Sequence, residues 1–338
     1  MAGHTYRVGI VGAGGIARAH GAACRAVDCA QLVAVCDVSA EAAGRFGDEF
    51  DVPKRYTSLP EMLASEELDI AVICTWGASH AEVGIAIAES RRVRAILCEK
   101  PFTLTGDEGA RFVAAAKAND TLVAEAYKFR HHPMHLRAKE LVDEGAIGDV
   151  TVMRSTFCMA GNPADRQPDA NWRWNRAKGG GSIYDLACNN IHRARWIVDA
   201  DPVRVFSSGT FGPEVDDATF TQLLFPDDSV AQISVGWTSW DAHYADICGT
   251  DGMIHIDRVW NNENSPTALE VRRRSGVERI EFEPVFQFEN QLQHLCDCLT
   301  TGAPHRISPE NSIGQMRTID AAFESIRTGE AIALGPAE

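Results

Sequence analysis

No apolar run in this sequence of 338 residues is long enough to span a bilayer, which excludes a transmembrane helix. The start, MAGHTYRVGIVGAGG, lacks a basic segment followed by an uninterrupted apolar stretch and a small-residue cleavage site. No secretory signal is expected, and the cytoplasm is the default location. Positive charge is scarce: 32 Lys and Arg stand against 47 Asp and Glu, a net charge of −15, and Arg272 to Arg274 form the one short basic cluster. Such a surface repels phosphate backbones and anionic lipid heads, so neither nucleic acid nor membrane is an expected partner. There is no C-x-x-C pair among the ten cysteines. Cys36, Cys74 and Cys98 sit in apolar runs and read as small buried hydrophobes rather than metal or redox groups. Internal repeats and low-complexity segments are also missing.

What is present is a globular composition, 45% hydrophobic and 23% charged, in a chain whose length suits two domains. The first third alternates strand-like runs (YRVGIVG, QLVAVCD, LDIAVICT, VRAILCE, TLVAEA) with helical patterns (IARAHGAACRAV, AEVGIAIAES, DEGARFVAAAKAN). Thr105 and Glu108 form a capping box before the last of these. This βαβ rhythm predicts an α/β fold with a doubly wound parallel sheet over residues 1–126. From residue 127 to 338 the rhythm changes. A helix-like segment, PMHLRAKELVDEG, and the run DVTVMRSTFCMA precede a polar loop, GNPADRQPDANWRWN, and then the stretch GGGSIYDLACNNIHRARWI. Seven strand-like runs follow Pro202 and predict a large, mainly antiparallel sheet. Two helices close the chain, the last with Ser308 as N-cap and Pro309 in its first position.

The segment GIVGAGGIARAH follows the first strand and opens a helix, with Gly12, Gly14 and Ala17 in the order G-x-G-x-x-A. Gly12 suits a tight turn, Gly14 close approach of a pyrophosphate, and Ala17 tight helix packing. The helix N-terminus then offers N–H groups to phosphates. Asp37, at the end of the second strand, lies at the distance expected of the acid that binds adenosine ribose hydroxyls. Its charge opposes a 2′-phosphate, which favours NAD over NADP, while Arg45 downstream leaves NADP open. CEKPF ends a later strand and places Glu99, Lys100 and Pro101 at the carboxyl edge of the sheet, where ligands bind in open α/β folds.

The chain resembles the Gfo/Idh/MocA family of oxidoreductases, over essentially its whole length. The residues that carry the resemblance are GAGGIA, Asp37, TWGASHAE where the family often has T-P-N-x-x-H-A, EKP, EAYKFRHHP, GGGSIYD, DICGTDG and MRTIDAAFESIRTG. Within the family it is most similar to the sugar and dihydrodiol dehydrogenases and glucose-fructose oxidoreductase. The resemblance implies a Rossmann domain, a C-terminal substrate-binding α/β domain whose open sheet joins subunits into a dimer or tetramer, and a sugar or polyol substrate. It places Gly15, Ile16, Thr75, His80, Glu99 and Lys100 about the cofactor, together with Gly12, Gly14, Ala17 and Asp37. Lys100, and Asp185 after the three glycines, carry over as active-site residues.

Oxidising a secondary alcohol needs a base within reach of the hydroxyl. Lys100 serves as that base, or holds and polarises the substrate oxygen; taken alone, it is also readable as a solvated rim charge. Asp185 orients Lys100 or a substrate hydroxyl. Four residues on, the family has His or Tyr and this chain has Asn189, which can hydrogen-bond a hydroxyl but has no proton to exchange near neutral pH. His192, one turn further along the stripe, either relays a proton through water or packs as a satisfied structural histidine. Lys100 is therefore the expected principal acid-base group, with Asn189 and His192 completing the catalytic set. His131, His132 and His135 cluster, but Pro133 interrupts them and no carboxylate or thiol completes a set, so no metal is expected. Arg130 and His132 line the cleft or pack beside it. Trp172 and Trp174 either stack on a sugar ring or anchor their loop. Two other functions remain open at this point: an NAD-dependent glycosidase or lyase working by transient oxidation, and a regulator that binds NAD and sugar without turnover.

Overall fold

The computed structural model describes residues 4–161 and 166–335. The first three residues of the segment read for a leader, and residues 162–165 of the polar loop, lie outside the described residues. The chain opens with β1 (Tyr6–Val11), α1 (Gly15–Ala26), β2 (Ala30–Cys36), α2 (Ala40–Phe50), β3 (Lys54–Tyr56), α3 (Leu59–Ser65) and β4 (Ile70–Ile73). It continues with α4 (His80–Ser90), β5 (Ala95–Glu99), α5 (Gly106–Ala118) and β6 (Leu122–Ala126). All six strands are parallel, in the order β3-β2-β1-β4-β5-β6. β4 and β5 are buried along their whole length, which is why they read as unbroken apolar runs. The order reverses direction between β1 and β4, and the crevice at that switch point is where such sheets bind ligands. Thr105 caps α5, its Oγ1 accepting from Glu108 N at 3.2 Å, while Glu108 Oε2 accepts from Leu104 N at 3.0 Å, one residue before the amide a closed capping box would use.

The rest of the chain forms α6 (Pro133–Asp143), β7 (Val150–Ala160), α7 (Cys188–Val198), β8 (Arg204–Phe211), β9 (Asp216–Leu224), β10 (Val230–Gly236) and β11 (Thr238–Ala242). Then come β12 (Ala245–Gly249), β13 (Gly252–Ile256), β14 (Thr267–Arg273), β15 (Gly276–Phe282), α8 (Gln287–Thr301), α9 (Pro309–Thr328) and β16 (Ile332–Ala333). The sheet has ten strands in the order β15-β14-β13-β12-β7-β10-β9-β8-β16, with β11 also on β7. β7 and β10 run parallel, and the other pairs are antiparallel. One face is covered: α6 lies against β14, and α7 against β7 and β10. On the opposite side the alternation along β8 and β9 leaves Phe206 and Phe220 exposed. Ser308 caps α9 as expected, its Oγ accepting from Asn311 N at 3.1 Å.

The chain divides into two compact units, each drawn from two stretches of sequence. One unit runs to Lys128 and also takes Gln287–Ile313, while the other holds Phe129–Phe286 and the chain from Gly314 on. α8 returns to the parallel-sheet unit because its apolar face finds its partners there. Phe288 meets the His20 ring edge-on at 5.2 Å and lies 5.2 Å beneath Lys128 Nζ, and Thr300 Oγ1 hydrogen-bonds Tyr6 OH at 2.9 Å. An amphipathic pattern shows that a helix has a face to bury; it does not show which surface receives it.

Candidate active site

In the first unit the candidate residues gather at the carboxyl ends of the parallel strands. Gly12 follows β1 with φ of +93°, and a Cβ there would fall 2.7 Å from the Cys74 carbonyl carbon and the Thr75 nitrogen. Only glycine lets this turn pass so close to the end of β4. A Cβ at Gly14 or Gly15 would meet nothing within 4 Å, so the space before α1 is open. Gly14 caps α1 without any side-chain hydrogen bond, leaving the first N–H groups of the helix to whatever enters that space. Ile16 is 37% exposed beside it, whereas Ala17 is fully buried in the helix packing. This cradle fits a dinucleotide pyrophosphate. Asp37 closes it from β2: Oδ2 accepts from Ala13 N at 2.7 Å and Oδ1 from Ser39 N at 2.8 Å. Arg45, the residue that left NADP open, pairs with Glu41 on the surface of α2.

Thr75 Oγ1 accepts from Ser79 Oγ at 2.9 Å. His80, placed among the cofactor residues by the sequence, turns inward and is 1% exposed. Its Nδ1 lies 2.8 Å from Pro101 O and its Nε2 3.0 Å from Thr75 O, and burial pushes its pKa below the usual imidazole value. The ring ties the turn after β4 to the turn after β5. In that second turn Lys100 is half-buried, and its amide donates to Glu99 Oε2 at 3.2 Å.

The second unit carries Asp185, Asn189 and His192. Three glycines are needed before them for packing and conformation: Gly181 has φ of +122°, and a Cβ on it would fall 2.3 Å from Asp216 Oδ1. Asp216 Oδ2 accepts from Ser182 Oγ at 2.6 Å and Ile183 N at 2.7 Å, anchoring the start of the helical segment. That segment begins with one wide π-helical turn, Ile183–Ala187, before α7. Asp185 lies in it, 6% exposed, with Arg173 Nε donating to Oδ2 at 2.7 Å. Asn189 Nδ2 donates back to Asp185 O at 3.1 Å.

Residues 6–127 match the oxidoreductase family with an NAD-binding Rossmann fold, and residues 135–255 match the GFO/IDH/MocA C-terminal domain. The chain belongs to the Gfo/Idh/MocA family. It is an NAD(P)-dependent oxidoreductase, as the family, the cradle and Asp37 together require. D-xylose 1-dehydrogenase (NADP(+)) 2 of Haloferax volcanii is 29% identical over 297 residues, 86% of this chain and 88% of the relative. Trans-1,2-dihydrobenzene-1,2-diol dehydrogenase of Mus musculus is 28% identical over 285 residues, 80% of this chain and 81% of the relative. The crystal structure of aldose-aldose oxidoreductase from Caulobacter crescentus complexed with glycerol has the same fold, with a TM-score of 0.89 at 23% identity over 98% of this chain and 100% of that one.

In this family member His192 is fully buried, and its Nε2 lies 2.9 Å from Arg130 Nη1. Arginine can only donate, so the imidazole accepts and is neutral; burial and the nearby Arg130 and Arg195 charges hold its pKa well below the usual value. Arg130 is itself buried, its guanidinium 4.0 Å from the Trp196 ring centre. His131, His132 and His135 are also buried: His132 Nδ1 caps α6 by accepting from Met134 N at 3.0 Å, and His135 Nε2 meets Val259 O at 3.0 Å. Among the described residues no group of three His, Cys, Asp or Glu is placed to hold a metal ion. Trp174 packs edge-on to Trp237 at 4.9 Å and anchors its loop, while Trp172 lies 4.9 Å under the Arg173 guanidinium. Arg173 and Asp216 are absent from the sequence-derived site. Arg173 lies in WRWN between two tryptophans, where no local pattern marks it as a partner of Asp185.

Proposed function

We propose that the protein transfers a hydride between a nicotinamide cofactor and the secondary alcohol or ketone of a sugar, polyol or related cyclic alcohol. The observation that carries this reading is the open cradle at Gly14 and Gly15, closed by Asp37, on the same sheet edge that presents Lys100. The substrates named for the xylose and dihydrodiol relatives are of this class. When bound, the nicotinamide accepts or returns the hydride. The N-terminus of α1 holds the pyrophosphate, and Asp37 takes the ribose hydroxyls and opposes a 2′-phosphate, so NAD is the preferred form and NADP the second. The Lys100 amine carries the proton of the substrate hydroxyl. Arg173 donates to the Asp185 carboxylate and fixes its direction, and Asp185 orients a substrate hydroxyl. Asn189 adds a hydrogen bond to substrate, and buried, neutral His192 supports the helix from behind.

Spectrophotometric screening of sugars, inositols and diols in both directions, with Lys100→Ala and His192→Ala beside the wild type, tests the reading. Lys100→Ala is expected to lose about 10²-fold or more in kcat, whereas His192→Ala loses stability first; near-normal turnover in the Lys variant refutes the assignment. Release of an aglycone without net NADH would instead favour a lyase-type reaction, and cofactor and sugar binding with no reduced nicotinamide a regulator. Among the described residues no helix is long and apolar enough to cross a membrane. We further place the protein in the cytoplasm as a homo-oligomer, a dimer or tetramer joined through the outer face of the large sheet. Phe206 and Phe220, 42% and 48% exposed there, support that contact. Light scattering that gives a monomer at all concentrations would refute it.

A further inference from the structure

We propose that His20 is a positioning residue for Lys100, acting through the Glu99 carboxylate. The inference rests on the assignment of Lys100 as the acid-base group. The turn from Glu99 to Phe102 is held by side chains from three other elements. His20, from α1, places Nε2 2.7 Å from Glu99 Oε1. His80, from α4, meets Pro101 O, and Glu125, from β6, accepts from Phe102 N at 3.0 Å. The first of these contacts leads to Lys100, because Glu99 divides its two oxygens between His20 and the Lys100 amide.

Both members of the pair are withdrawn from water, the His20 and Glu99 side chains being 3% and 6% exposed. A carboxylate in that position is costly without a hydrogen-bonding partner, and an apolar residue at position 20 would fill the space without serving it. What the pair supplies is a fixed direction. The His20 ring is set edge-on against Phe288, the carboxylate is set by the ring, and the Lys100 amide is set by the carboxylate. His20 also belongs to the helix whose N-terminus forms the cofactor cradle, so one rigid element locates both the phosphates and the Lys100 turn.

The other titratable groups around Glu99 include Cys74 after β4, Cys98 in β5, Glu125 in β6, His80 in α4 and Lys100 beside it. Burial pushes both thiols well above their ordinary values and lowers that of His80.

The test compares His20→Leu, His20→Gln and Glu99→Ala with Lys100→Ala, using NADH fluorescence titration for the cradle and kcat and kcat/KM on the best substrate of the panel. In His20→Leu, NADH affinity should stay within about three-fold while kcat falls about ten-fold or more. His20→Gln, which keeps a donor, should recover most of the kcat. Unchanged kcat in His20→Leu, with Lys100→Ala inactive, overturns this inference alone; an active Lys100→Ala overturns the Lys100 assignment and this inference with it. If the Leu variant does not fold, Glu99→Ala takes its place, and an unchanged kcat there is equally decisive against the proposal.

Discussion

Replacing Asp216 with alanine would strip the helical segment that carries Asp185 of its side-chain anchor. Asp216 is 2% exposed, and its Oδ2 accepts from Ser182 Oγ at 2.6 Å and from Ile183 N at 2.7 Å. The Ser182 hydroxyl has Thr219 Oγ1 at 3.2 Å to turn to, so the cost concentrates on the Ile183 amide, a buried donor left without its acceptor. Such a loss is worth about 1–3 kcal/mol, and chemical denaturation should show it as a lower midpoint at unchanged slope. Asp216→Asn keeps an oxygen facing both donors and should lose much less at neutral pH.

Asparagine also isolates the charge. Burial pushes the Asp216 carboxyl from 3.8 up to about 6, against the lowering effect of its hydrogen bonds. The folded state therefore binds this proton more tightly than the unfolded chain does. The resulting stabilisation is full below about pH 4 and is lost as pH rises through about 6, a span worth up to about 3 kcal/mol. The Asn variant has no such proton, so its stability relative to wild type should improve steadily between pH 4 and 7. Parallel stability curves for the two proteins over that range, or an Ala variant less than about 0.5 kcal/mol below wild type, would refute the anchoring role.

Asp37→Ser removes the charge that opposes a 2′-phosphate, and the ratio of kcat/KM for NADP+ over NAD+ should rise about ten-fold or more; steady-state kinetics with both cofactors measure it, and an unchanged ratio contradicts the placement of Asp37. Arg173→Met keeps the aliphatic stem but leaves Asp185 without the donor 2.7 Å away. The half-exposed guanidinium limits the stability loss to about 1 kcal/mol, while kcat should fall about ten-fold; a fall in melting temperature alone would make Arg173 a packing residue.

Most of the fold was legible because its strands announce themselves. β4 and β5 are buried on both faces and read as continuous apolar runs. β3 went unseen for the converse reason: its residues, Lys54, Arg55 and Tyr56, are exposed or half-buried at the sheet edge and present no apolar run. α8 was expected as a helix, yet its return to the parallel-sheet unit depends on His20 and Lys128, partners more than 150 positions away in the chain.

The site divides along the same line. Gly12, Asp37 and the turn at Lys100 are local constraints of backbone and strand end, and sequence spacing finds them. The residues that hold them are long-range partners without local signature: His20 lies 79 positions from Glu99, and Asp216 lies 34 from Ser182. His192 shows the other limit of spacing, which gives the face of a helix and not the depth. On that face His192 lies in the interior as a neutral acceptor for Arg130 and has no proton to deliver near neutral pH. Asn189 commits its Nδ2 to the carbonyls of Asp185 and Leu186 and leaves Oδ1 as an acceptor. Asp185 is held by Arg173. With all three helix residues bound to tasks that move no proton, the proposed reaction has Lys100 as its proton carrier, and the precision of the turn that holds Lys100 becomes the quantity on which turnover depends.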